Sequence, residues 1–242
     1  MTFKQITIGF LTFGLISCNS NTKTTESKLD SYSEIKIVGA MKNVMWKGEL
    51  DGIIKLDSIE NKTGLYGIGP ESYLSGEILI NNGQTYISRV ISDSTMSVEK
   101  TINVSAPFFV YGNVNEWQEI DLPKNIVTIK DFEKYLDAKT ITAKRPFAFK
   151  LSGQVENAEM HIVNLPKGIK VSSPEEAHQG QINYNLQKEI VEIIGFFSTE
   201  HKGIFTHHDS FLHLHLITKD ENKMGHLDKV VFDKMKLYLP VK

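Results

Sequence analysis

From Phe211 to Thr218 the sequence reads Phe-Leu-His-Leu-His-Leu-Ile-Thr, and such strict alternation is the mark of a β-strand. Successive strand side chains take opposite faces. Leu212, Leu214 and Leu216 therefore make one aliphatic face, which has to be buried, while Phe211, His213, His215 and Ile217 make the other. Imidazoles two residues apart on a strand have Cα atoms about 7 Å apart, and both rings can lean onto one metal ion. The polar run that follows Thr218 reads as a turn, after which His226 opens the next strand. A hairpin there returns His226 beside the first two. The pattern is His-x-His, ten residues, then His. Three histidines leave a coordination position open for water or substrate, as catalytic zinc sites do. A lone strand histidine is more often a hydrogen-bonded core or surface residue. Two on one face with a third returned by a turn point instead to a divalent metal, zinc by preference.

Six of the eight histidines fall between His201 and His226, so the remaining ones need placing. His207 and His208 precede the strand and are expected to stand behind the ligands or to face substrate, with at least one of them solvated. His161 and His178 read as ordinary residues.

Elsewhere short strands dominate. Segments 34–38, 76–80, 85–92, 107–113, 147–152, 189–197 and 229–239 carry β-branched or alternating apolar residues between Gly, Asn and Ser. One helix is expected near 129–137, capped by Thr128, with Asp131 in its first turn and Phe132, Tyr135 and Leu136 as its apolar stripe. A second, short helix is expected around Asp51–Leu56. The fold class is α+β, strand-dominated, with the helix near 129–137 marking a boundary between two halves.

The chain has 242 residues and a formal net charge of -2 without a basic block, so nothing recruits nucleic acid electrostatically. Its single cysteine, Cys18, excludes an internal disulfide. An apolar run from Ile6 to Ser17 follows a short start carrying Lys4, with the dimensions of a signal-peptide core. Leu15-Ile16-Ser17-Cys18 resembles a bacterial lipobox, which implies a signal peptide over 1–17 and a lipid on Cys18. The polar stretch from Asn19 to Ser33 has almost nothing to bury and reads as a tether over 18–33. Folded structure is expected over 34–242, held at the cell envelope through the lipid.

The segment Phe211–Asp220, followed by Met224–Asp228, resembles the zinc-binding segment of the bacterial acetolactate decarboxylases, where the same histidine spacing occurs. The run from Gly67 to Ile80, with its Gly76-Glu77 pair, is similar to a second family stretch. Pro146–Gly153 resembles a family strand whose fifth position is arginine, here Lys150, and Glu192–Gly195 matches the approach to the histidine strand. The resemblance implies two mixed β-sheet subdomains flanking a metal. It implies conversion of 2-acetolactate to acetoin and carbon dioxide, with Zn2+ on His213, His215 and His226, Glu77 handling the proton and Lys150 holding the substrate carboxylate. Lys150 lacks arginine's bidentate fork. Pro70 replaces a threonine, the stretch from Gly195 to His213 is longer than usual, and the chain ends at Lys242 before the family's C-terminal glutamate. Two other readings stand beside this one: a decarboxylase for a related 2-hydroxy-3-oxo acid, and a non-catalytic zinc- or ligand-binding lipoprotein. A homodimer is left open.

Overall fold

The computed structural model describes residues 1–2 and 34–241; the expected signal peptide, Cys18 and the tether lie outside the described residues. In chain order the elements are β1 (Lys36–Val38), α1 (Met41–Lys47), β2 (Ile54–Lys55), β3 (Leu65–Pro70), β4 (Glu77–Asn81), β5 (Gln84–Ser92), β6 (Thr95–Lys100), β7 (Ser105–Ala106), β8 (Phe109–Asn113) and β9 (Trp117–Asp121). Then follow α2 (Ile129–Lys139), β10 (Phe147–Ile162), α3 (Pro174–Ala177), β11 (Ile182–Gln187), β12 (Ile190–Phe197), β13 (Leu212–Thr218) and β14 (Met224–Pro240).

The strand-dominated α+β architecture is as expected. One six-stranded sheet runs β1-β8-β3-β4-β5-β6, another runs β11-β10-β12-β13-β14-β9, and β2 pairs with β7. Every pairing between these strands is antiparallel, so the sheets are not mixed as the resemblance implied. The changeover between sheets falls between Asn113 and Trp117, ahead of the helix expected to mark it, because β9 already pairs with β14. The second sheet also closes on itself: β10 pairs with β12, β12 with β13, β13 with β14, and β14 again with β10. Closure needs a sharply bent strand, and β10 has register shifts at Gln154/Val155, Val155/Asn157 and Glu159/Met160. Gly153, at φ 150, permits the bend, since a Cβ there would stand 2.0 Å from the Lys234 carbonyl oxygen.

The alternation in β13 is realised. Leu212, Leu214 and Leu216 join Phe149, Leu151 and Ile193 in a core capped by Phe132 and Leu136 of α2. Ile217 faces the other way, into a core of Ile68, Leu79 and Val110 from the first sheet with Ile194 and Phe196 from the second. Both faces of β13 are therefore buried, and its histidines are sealed between the sheets.

In α2 the Thr128 hydroxyl accepts from the Asp131 N–H, and the Asp131 carboxylate accepts from the Thr128 N–H. Thr128→Ala is expected to lower stability by about 1 kcal/mol, seen as a lower urea midpoint with an unchanged slope. The segment expected to be helical around Asp51–Leu56 instead forms β2 and a single 3-10 turn, Leu56–Ser58. Helix α1 was not expected: Ala40 supplies no side-chain cap, and only Gly48, left-handed at φ 64, marks its end.

Candidate metal centre

The hairpin between β13 and β14 pairs His215 with His226, and β14 in turn pairs His226 with His161. Three histidines thus stand side by side on adjacent strands. His213 lies two residues from His215 on the same face. One nitrogen from each of His213, His215 and His226 lies within 4.8 Å of the other two. All three are buried. Gly225 makes the approach possible, because a Cβ there would meet the His161 carbonyl oxygen at 2.6 Å.

Three ring nitrogens in this cluster, His213 Nδ1 and both nitrogens of His215, are buried with no hydrogen-bond partner. Orphaned buried polar atoms are costly in a native protein and ask for an occupant. Burial pushes the imidazoles of His213 and His226 well below the ordinary range, and that of His215 down to about 3. Neutral rings keep the lone pairs that a metal needs. The donor set, its burial and its unmet valences all fit a divalent cation.

Glu77 opens β4 and faces the cluster from the first sheet. Its Oε2 is 3.5 Å from His215 Nε2, and its Oε1 accepts a 3.3 Å bond from the Val163 N–H. Burial raises its carboxyl well above the carboxylate range, only partly opposed by the Val163 bond. Both shifts disfavour the charged forms, so burial works against an ion pair between these two side chains. The turn that delivers Glu77 is strained: Tyr73 and Leu74 both have left-handed backbones, at φ 60 and 51. It is pinned by Arg89, which donates two bonds of 2.7 and 2.6 Å to Glu71, and by the Leu165 N–H on the Leu74 carbonyl at 2.9 Å.

Further groups surround these residues. His161, read as ordinary, has its ring 4.7 Å from that of His226, and its Nδ1 is 2.8 and 2.9 Å from the two oxygens of Asp228. His178 stands behind it, ring centres 6.2 Å apart. His207 Nε2 is 3.0 Å from His226 Nε2, while its neighbour His208 is exposed, as expected for one of the two. A cavity of about 240 Å³ opens beside His207, His226 and Asp228. A larger groove of about 610 Å³ near Lys139 and Leu239 contains none of the candidate residues.

Lys150 is not brought to the cluster. In register it lies beside Ile194, and Ile194 beside His215, two strand spacings or about 10 Å away. Its ammonium is taken by Glu192, 3.5 Å away, over the ring of Tyr238. The strand that bears it reaches the histidines only at its other end, at His161.

The sequence profile described as alpha-acetolactate decarboxylase matches residues 38–241. The chain belongs to the alpha-acetolactate decarboxylase family. The solved alpha-acetolactate decarboxylase of Bacillus subtilis strain 168 is similar over 87% of this chain and 86% of its own, with 25% identity and a TM-score of 0.69. That of Bacillus subtilis subspecies spizizenii covers 87% of each chain at 26% identity and a TM-score of 0.70. A Staphylococcus aureus protein of unknown function, described as similar to alpha-acetolactate decarboxylase, shares the fold over 84% of each chain at 15% identity and a TM-score of 0.71. A comparison with curated proteins found no match. The family therefore accounts for the paired sheets and makes acetolactate decarboxylase-type activity the expectation for the histidine centre.

Proposed function

We propose that this chain is a metal-dependent carboxy-lyase converting 2-acetolactate to acetoin and carbon dioxide, with zinc held by His213, His215 and His226. The observation that carries the reading is a buried glutamate side chain, Glu77, set 3.5 Å from one of three buried histidines whose ring nitrogens converge. His213, His215 and His226 would hold the ion, and zinc there would supply Lewis acidity for stabilising the developing negative charge. The remaining work falls to the chain. Loss of carbon dioxide leaves the bonding pair on the substrate as an enediolate, and a proton must then reach one face of that carbon. Glu77 is placed to handle that proton, since burial favours its protonated form and the Val163 N–H fixes its orientation. The sheets exclude water from behind the imidazoles, so the enediolate meets the chain's acid from a defined side.

Lys150 has no part in this mechanism, because Glu192 occupies its ammonium. Lys150→Met is expected to leave the Michaelis constant for acetolactate unchanged in steady-state kinetics. The reading as a whole is tested by incubating the purified, zinc-loaded protein with racemic acetolactate. Acetoin is expected well above the spontaneous rate; its absence, with zinc bound, would overturn the activity. A faster reaction with a longer-chain 2-hydroxy-3-oxo acid would reassign the substrate.

The proposed address is the cell envelope, through lipid on Cys18. Cys18→Ala is expected to move the protein out of the membrane fraction on immunoblots, and retention there would refute the anchor.

A further inference from the structure

His207 lies outside the trio of converging nitrogens, yet its Nε2 stands 3.0 Å from the Nε2 of His226. Two nitrogens bound to one tetrahedral zinc at the usual distance are about 3.3–3.4 Å apart, so the spacing from His207 to His226 is already near that of shared ligation, and a swing of the His207 ring has to close the remaining distance to the other two. The segment carrying His207 is firmly built on both sides. Before it, the Ile204 carbonyl accepts from the Met41 N–H at 2.7 Å and the Gly203 carbonyl from Lys42 at 2.9 Å, while Phe205 and Thr206 are buried. After it, the Ser210 hydroxyl and the Phe211 N–H both donate to Glu133, at 2.6 and 2.7 Å. Only His207, His208 and Asp209 lie between these anchors, and His208 and Asp209 are exposed. A ring on so short a free span can swing without disturbing either sheet. His207 and His226 both line the cavity beside the site, together with Asp209, Ser210 and Asp228.

We infer that His207 is a displaceable fourth imidazole ligand, closing the metal position on the cavity side until substrate takes its place. The inference rests on the three-histidine metal reading above. It explains why a polar ring is held against a ligand where both line the same cavity.

The test is X-ray absorption spectroscopy at the zinc edge on the zinc-loaded protein, counting imidazoles from their multiple scattering. Four are expected in the wild type, four in His208→Ala, and three with an added oxygen in His207→Ala. Saturation with 2,3-dihydroxy-2-methylbutanoate, which has no ketone and cannot lose carbon dioxide by this route, should bring the wild type to three. Competition with a chelator should show zinc affinity about 10–100-fold lower in His207→Ala. His207→Gln repeats the measurement in a residue of similar reach should the alanine variant fail to fold. Three imidazoles in the wild type, with a spectrum unchanged in His207→Ala, would overturn the inference while sparing the trio. Failure to bind zinc at all would overturn both, and the metal content tells the cases apart.

Discussion

Glu77→Gln is expected to lower the turnover number by about 10²–10⁴-fold, the usual contribution of a positioned proton-transfer group, with metal content unchanged. Glutamine keeps the length and the carbonyl oxygen, so the 3.3 Å bond from the Val163 N–H survives. What disappears is a proton that can leave. The stability effect has the opposite sign. Burial raises the Glu77 carboxyl in the folded state, so its contribution is full below the unfolded-state value and is lost as the pH rises through the folded value. At neutral pH the metal-free wild type bears that cost, and glutamine removes it. Metal-free Glu77→Gln should therefore melt no lower than the metal-free wild type at pH 7. A bound cation opposes this by pulling the carboxyl's pKa down. Steady-state kinetics with metal analysis checks the first claim, and calorimetry of the metal-free proteins checks the second. Normal turnover in Glu77→Gln would remove the proton-handling role.

His215→Ala is expected to abolish stoichiometric zinc binding, taking metal content from about one per chain toward zero under dialysis. His215 is fully buried, beside His226 in the ladder and 3.5 Å from the Glu77 carboxyl. Removing it deletes a ligand and leaves a cavity that the surrounding strands cannot collapse around. The variant should also alter the acid response. Because the folded imidazole titrates at about 3 and an unperturbed one at 6.5, the unfolded state binds more protons between these values. Stability of the metal-free protein should fall as pH drops through that window, by about 1.4 kcal/mol per pH unit for this group. His213 and His226, shifted in the same direction, steepen the fall. His215→Ala should show a shallower acid limb in urea titrations at pH 6.5 and 4.5. Retention of zinc at wild-type affinity would exclude His215 as a ligand.

The parts of this site that a reader of the sequence could find were those written in local periodicity. The alternation from Phe211 to Thr218 told strand, face and burial together, and the short polar turn after Thr218 implied that His226 would come back alongside. Glu77 carried no such local signal, because its nearness to His215 depends on how one sheet lies over another; only the family resemblance pointed to it. His161 was passed over although it neighbours His226 directly in the ladder. Its register there is set after three irregularities in β10, and nothing in the residues from Gly153 to Glu159 reveals where they fall. Lys150 was pointed to only by the family resemblance, and its strand, expected to stop at Ser152, runs on to Ile162. Helix α1 was missed because its start has no capping side chain, whereas α2 announced itself through Thr128 and Asp131.

The closed circuit of β10, β12, β13 and β14 also bears on time. A strand at a sheet edge can peel away on its own, and groups it carries are then released at the cost of one ladder. His215 has paired neighbours on both sides, and His226 sits between β13 and β10. Neither can loosen without opening the circuit, an excursion drawn from the high-energy end of local unfolding. Backbone amides at His215 and Leu216 should accordingly be among the slowest to exchange with deuterated solvent. Metal held there should leave by way of the cavity, at a rate set by the three-residue span around His207 and not by unfolding of the barrel.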